Sequence, residues 1–404
     1  MTDAIGLYIH IPFCATKCNY CNFNTYTRLE KLIPSYIDAL SRELHLWGDS
    51  LGHPGVKTVY FGGGTPSLLE PSDLSRVLDA CRSAFSLQPN AEISAEANPG
   101  DVTAGKMRQW RSFGINRLSM GFQSVDDRLL RLLTRRHSSQ EALAAYSNAR
   151  EAGLDNVSLD FIYGLPHQTI ETWRATLDQA ISLAPEHLSL YSLTVEEGTP
   201  LHADVRSGLV PQPDPDLAAD MYILADGLLN AAGYVNYEIS NWAKPGKACR
   251  HNLIYWQFEP FLGVGPGAHS HLETHRFWDI RSPAEYIKRV QEKTGGLPVV
   301  AQAPFSDVLQ GAAWVEGSRP IGDQDRFAET VILALRLRDG VSLDHITATF
   351  GPDAATAFLH RLEGLSGLGL LERNGDTVRL TQRGRLLSNE VFIRFLPEWA
   401  ESVA

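Results

Sequence analysis

Cysteine is scarce in this chain, with five in 404 residues, which excludes a disulfide-built scaffold and points to a reducing compartment. No basic stretch leads into an apolar one near the start, so no secretory leader is expected. No uninterrupted apolar run is long enough to cross a bilayer. Positive charge is also in short supply. The 36 Lys and Arg stand against 47 Asp and Glu, a formal net charge of −11, which disfavours nonspecific nucleic-acid binding because that interaction rests on neutralising phosphates. Repeats of fixed period and low-complexity tracts are missing. What remains is the profile of a cytoplasmic globular protein whose 44% hydrophobic residues suffice for two cores.

Three of the few cysteines fall together, in Cys14-Ala-Thr-Lys-Cys18-Asn-Tyr-Cys21, directly after the apolar segment 7–11. The loop is too short to favour disulfides, and its thiolates can converge on one metal centre. A closed iron–sulfur cluster takes four protein ligands. Three would leave one iron open to an outside molecule, as an open position separates catalytic from structural zinc. A zinc knuckle with a distant fourth ligand, or three unrelated thiols, are the competing readings. Cys81 shares a helical face with Leu74, Val77, Leu78 and Phe85 and reads as a small core residue. Cys249, just before Arg250 and His251, is ambiguous.

Up to about residue 200 the chain alternates strand-like and helix-like segments, with strands expected at 7–11, 56–61, 93–97, 117–122, 157–163 and 188–195. Six such units predict an α/β fold, an incomplete parallel (βα)6-type barrel. A rigid Pro-rich connector at 210–215 and the Gly295-Gly296-Leu297-Pro298 stretch divide the chain into 1–210, a barrel-associated extension 211–300, and a smaller α+β domain 301–404. In the last, helices at 326–338, 343–350 and 354–365 precede a hairpin turning at Asn374-Gly375, a winged-helix-like order.

Polar residues gather on or just past the carboxyl ends of the expected strands, where such barrels build active sites. Gly62-Gly63-Gly64-Thr65-Pro66 lacks the G-x-G-x-x-G spacing of a dinucleotide site. It either lets a ligand approach the backbone or makes a tight strand-to-helix turn. Glu96, amid small residues, would be costly to bury unpaired, and a cationic or hydroxyl-bearing ligand would justify it. Gln123 follows the fourth strand. Asp160 lies in an apolar strand where a charge needs a partner, and a functional role is favoured. Arg135 could meet a ligand carboxylate bidentately or be a solvated member of the basic stretch 131–136.

Together these residues resemble the radical S-adenosylmethionine superfamily, whose C-x-x-x-C-x-x-C signature is carried by Cys14, Cys18 and Cys21. The words His10-Ile-Pro-Phe-Cys14, Gly62-Gly-Gly-Thr-Pro66, Gly121-Phe-Gln123-Ser and Asp160-Phe-Ile-Tyr-Gly-Leu-Pro166 are similar to the family of oxygen-independent coproporphyrinogen III oxidase, over nearly the whole chain. The resemblance implies a [4Fe-4S] cluster whose unique iron is chelated by S-adenosylmethionine, cleaved on reduction to methionine and a 5′-deoxyadenosyl radical. It implies that Tyr8 and Tyr20 flank the cofactor and that Gly63, Gly64 and Thr65 meet its methionine end. Glu96, Gln123, Arg135 and Asp160 would complete the pocket, with Arg136 an alternative to Arg135.

Phe23 stands where the oxidase has a further cysteine, and the first cluster cysteine comes early, at position 14. Both departures match a haem-chaperone branch of the family. That branch's H-N-x-x-Y-W motif is matched by His251, Asn252, Tyr255 and Trp256. Haem binding is therefore expected there, with His251 favoured over Tyr255 as axial ligand. The alternative is a His–Tyr hydrogen bond anchoring a loop under the barrel mouth. A haem chaperone is the leading reading, and a coproporphyrinogen III oxidase the second. A DNA-binding regulator ranks third, since Arg361 and His360 are offset by Asp353 and Glu363. Expected partners are haem, haem-accepting apo-proteins and a reductant such as a flavodoxin or ferredoxin. Peripheral membrane association and a homodimer are further expectations.

Overall fold

The computed structural model describes residues 4–396. Six parallel strands follow one another as expected: β1 Ile5–Ile11, β2 Gly55–Gly63, β3 Ser86–Ala97, β4 Arg117–Gln123, β5 Val157–Tyr163 and β6 His187–Ser192. Helices between them carry ordinary start and stop signals. Ile33–Leu51 has proline in its first turn and ends at Gly52 in the left-handed region (φ 72°). Ser139–Glu151 opens with a capping box between Ser138 and Glu141.

The strands are read two residues at a time. Leu7, Ile9 and Ile11 of β1, Val59 and Phe61 of β2, and Leu118, Met120 and Phe122 of β4 are buried in the main core. The alternate set, including Tyr60, Glu96, Arg117, Ser119, Asp160 and Ser189, lines an interior cavity. Parallel strands buried on both faces are usually continuously apolar. Here the polar alternation marks a barrel that encloses a site.

The sheet does not stop at six strands. β7 Val235–Glu238 and β8 Asn241–Ala243 extend it antiparallel beyond β6. At the other edge β9 Phe261–Val264 pairs parallel with β1. β10 His269–Leu272, β11 His275–Asp279 and β12 Val315–Pro320 continue antiparallel, giving twelve strands in one open sheet. The extension is therefore built into the barrel wall. Val308, Leu309 and Trp314 also belong to the main core, so the smaller core begins later than residue 301 and takes its first buried residue at Ala328. It comprises helices Asp323–Arg336, Leu343–Phe350 and Pro352–Arg361 and a sheet of β13 Val341–Ser342, β15 Thr377–Leu380 and β14 Leu371–Asn374, in that spatial order. The hairpin turns one residue later than expected. Asn374 still pairs with Thr377, and Gly375, at φ 60°, takes the first central position, the place a type II′ turn reserves for glycine.

Candidate functional site: a three-thiol loop over a polar barrel

The cysteine loop leaves β1 at its carboxyl end and is tied at its base. Cys14 N donates to the Tyr26 carbonyl (2.9 Å) and Tyr26 N to that of Pro12 (2.7 Å). Lys17 Nζ reaches the Thr25 carbonyl at 3.3 Å. On its far side Asn24 Nδ2 donates to the carbonyls of Pro266 (2.8 Å) and Arg281 (3.0 Å), so the extension props up the loop. His10 Nε2 lies 2.9 Å from the Asn24 carbonyl. A carbonyl only accepts, so Nε2 carries the proton and Nδ1 accepts from Tyr8 Oη at 3.1 Å.

All three thiols line one cavity of about 430 Å³, together with Tyr20, Gly63, Gly64, Thr65, Glu96, Gln123, Arg135 and Asp160. Cys14 Sγ accepts from Thr65 Oγ1 (3.4 Å) and Cys18 Sγ from Arg135 Nη1 (3.3 Å). The sulfurs are not gathered on one point. Among the described residues no three His, Cys, Asp or Glu side chains are placed to hold a single metal ion. A four-iron cluster takes each thiolate on a different iron and does not ask for that convergence. The donor set fits such a cluster.

Ambiguities in the sequence are resolved by packing. Arg135 turns to Cys18 and to the Gly121 carbonyl (3.0 Å), while Arg136 is paired with Asp101 at 2.5 Å. The glycines make a tight turn and also border the cavity. Gly63 has φ 109°, and a Cβ on Gly64 would lie 2.6 Å from the Phe13 carbonyl oxygen, yet both line the cavity. Glu96 accepts from Tyr60 Oη (2.9 Å) and Gly63 N (3.2 Å), and burial pushes its carboxyl up to about 7. Asp160 accepts from Ser119 (2.9 and 3.1 Å) and Ser158 (3.0 Å), and burial raises it too. Gln123 sits at a bulge with φ 65°, a conformation a non-glycine residue holds at some cost. Tyr8 is the exception. It does not line the cavity and stacks instead beside Tyr60 (6.3 Å) and His251 (6.4 Å).

His251 and Tyr255 lie beneath the cavity, at the foot of the barrel. Helix Arg250–Trp256 closes the barrel floor, its amino end held by Glu92, which accepts from Arg250 N and His251 N at 3.1 Å each. His251 is 1% exposed. Its Nδ1 lies 2.7 Å from Thr58 Oγ1 and its Nε2 2.7 Å from Tyr255 Oη. Burial drives the imidazole down to about 3, hence neutral. Both nitrogens are in hydrogen bonds, and the His–Tyr bond of the anchoring alternative is present. Trp256 lies under Arg336 of the smaller domain, at 4.4 Å.

Sequence reasoning missed Tyr60, Glu92, Arg117, Ser119, Ser189 and Tyr191. The signal was period-two spacing: each lies an even number of residues from a strand position already singled out or from one sharing its interior face.

The fold and the three-thiol loop define a radical SAM partial barrel. Accordingly, the radical SAM superfamily description matches residues 8–180 and the HemN C-terminal domain residues 322–387. The solved coproporphyrinogen III oxidase (HemN) from Escherichia coli, a radical SAM enzyme, superposes with a TM-score of 0.81 at 25% identity, over 97% of this chain and 90% of that one. The "Heme chaperone HemW" of Mycobacterium tuberculosis (strain ATCC 25618 / H37Rv) is 40% identical over 96% of this chain and 93% of its own length. That of Bacillus subtilis (strain 168) is 34% identical over 97% and 99%. The mitochondrial radical S-adenosyl methionine domain-containing protein 1 of Mus musculus is 42% identical over 98% and 88%. The chain belongs to the HemW heme-chaperone family. No helix among the described residues is long and apolar enough to cross a membrane.

Proposed function

We propose that this protein is a haem chaperone. It would hold a [4Fe-4S] cluster on Cys14, Cys18 and Cys21, bind S-adenosylmethionine in the barrel cavity, and carry haem to an apo-protein. The observation that carries the reading is full-length similarity to proteins named as haem chaperones, joined to a cavity lined by three thiols and two half-buried carboxylates. A bound cluster and cofactor would supply reductive radical chemistry. The chain's own contribution is to orient the cofactor. The Gly63–Thr65 segment, which borders the cavity, would meet its methionine end, and Glu96 and Asp160 would accept from its hydroxyl and amino groups. A reductant such as a flavodoxin or ferredoxin would be needed.

Glu96→Gln and Asp160→Asn each keep the side chain's shape and remove its charge. A hydrogen bond to a charged group contributes about 1.5–3 kcal/mol, so each variant should bind S-adenosylmethionine about tenfold or more weakly while keeping the cluster. Equilibrium titration checks this, and unchanged affinity in both would move the cofactor elsewhere.

The structural likeness to coproporphyrinogen III oxidase supports a second reading, decarboxylation of coproporphyrinogen III. Against it stands Phe23, 65% exposed at the cavity rim. Anaerobic incubation with reductant, S-adenosylmethionine and either haem or coproporphyrinogen III separates the two. Haem binding without formation of protoporphyrinogen IX is expected, and turnover would replace the chaperone reading. In the same assay His251→Ala should leave the Soret band of bound haem unchanged. It should instead lower stability by about 2 kcal/mol, through a cavity and two orphaned hydroxyls. A shifted Soret band would restore His251 as an iron ligand.

A further inference from the structure

At the start of β4, Arg117 is 2% exposed yet lines the same cavity as the thiols. Its Nε has no hydrogen-bond partner. An interior guanidinium in this position is costly unless its surroundings repay it. Burial opposes its charge and the neighbouring Glu92 favours it, and a guanidinium keeps its proton in proteins. Glu92 is already committed to the amino end of the floor helix. The carboxylates left to benefit are Glu96 and Asp160.

We propose that Arg117 is a positioning residue of the cofactor pocket: its buried guanidinium, with the Tyr60 hydroxyl, keeps Glu96 and Asp160 as carboxylates able to accept hydrogen bonds from a bound S-adenosylmethionine. This rests on the reading of the cavity as the S-adenosylmethionine site. Two like charges in one low-dielectric chamber oppose each other's ionisation, and Asp160 raises Glu96 in this way. Arg117 acts against that on both. Tyr60 acts on Glu96 alone, through its 2.9 Å hydrogen bond.

The groups facing Glu96 are Tyr60, Arg117, Asp160, Tyr8, Tyr191 and, from the floor helix, Tyr255. Every tyrosine among them is neutral, its hydroxyl raised above the ordinary tyrosine value. Around Asp160 stand Ser119, Ser158, Ser189 and Arg117. Arg117 also faces Tyr237, His187 and His251, the two imidazoles being neutral. Arg117 is thus the cation that both pocket carboxylates share. Because Glu96 titrates near neutrality, removing that cation should be visible in the working pH range.

The test is equilibrium binding of S-adenosylmethionine to the full-length, cluster-loaded protein as pH is varied. Wild type should lose affinity on the acid side as Glu96 takes up a proton. In Arg117→Gln that limb should move up by about one pH unit, costing about fivefold in affinity at neutral pH. Arg117→Lys should recover most of the loss because it restores the charge. Tyr60→Phe should shift the limb in the same direction and by more, since its hydrogen bond acts on Glu96 more strongly than Arg117 does. Cluster absorbance should stay constant throughout. Arg117→Gln or Tyr60→Phe with an unmoved acid limb overturns the inference, as does Lys performing no better than Gln. Should Arg117→Gln not fold, Tyr60→Phe and Arg117→Lys decide it. A wild type that binds no S-adenosylmethionine at any pH overturns the proposed cavity function and this inference with it, whereas binding with unmoved limbs overturns this inference alone.

Discussion

Cys18→Ala should abolish the iron–sulfur absorbance of anaerobically reconstituted protein, and Cys81→Ala should leave it intact. Cys18 faces the cavity, with Arg135 Nη1 at 3.3 Å from its sulfur. Removing it leaves Cys14 and Cys21, and two thiolates hold a four-iron cluster poorly. Cys81 lies on helix Pro71–Ala84, fully buried with Leu74, Val77 and Leu78. Burial pushes its thiol up to about 12, so it is a neutral packing group, away from the cavity wall. Cys249 is likewise buried and raised to about 12, at the amino end of the floor helix. Iron content and absorbance measured on the three single variants check the assignment. Loss of the cluster from a folded Cys81→Ala protein would sink it.

Gly64→Ala should damage both stability and cluster retention. The added Cβ would lie 2.6 Å from the Phe13 oxygen and 2.7 Å from that of Ile11. Both are backbone atoms, and both already accept from this segment, Ile11 O from Gly64 N (2.7 Å) and Phe13 O from Thr65 N (2.8 Å). Relief can come only by moving the backbone that leads into Cys14. Overpacking of this kind costs about 3 kcal/mol. The control is Gly227→Ala in helix Pro215–Ala231, where a Cβ meets nothing within 4 Å and a gain of about 0.5–1 kcal/mol is expected. Chemical denaturation and iron retention read both. A Gly64→Ala protein as stable as wild type, with its cluster intact, would show that the loop is not seated on these carbonyls.

Legibility in the sequence followed the range of the interactions involved. The six strands and their helices were visible because alternation, caps and turns are local. The thiol loop was visible because its ligands lie within eight residues, Cys14 to Cys21. Glu96 and Asp160 stood out as charges in strands that should not bury them unpaired. The Asn374-Gly375 signal located the hairpin but missed its centre by one residue, since cross-strand pairing of Asn374 with Thr377 outweighed the dipeptide preference.

By itself, then, the sequence determined the repeating strand–helix order, the three-cysteine loop and the glycine turn beside it. Each depends on neighbours a few positions away. Only the tertiary structure decided the rest. It placed β9 against β1 across some two hundred and fifty residues, as the pairing of Gly6 with Phe261 shows. It turned Arg135 to Cys18 and Arg136 to Asp101. It committed both nitrogens of His251 to Thr58 and Tyr255, and it set Arg117 within the cavity that Glu96 and Asp160 share. A strand's alternation tells which residues share a face, but which other faces they meet depends on closure of the barrel, and no local pattern encodes that.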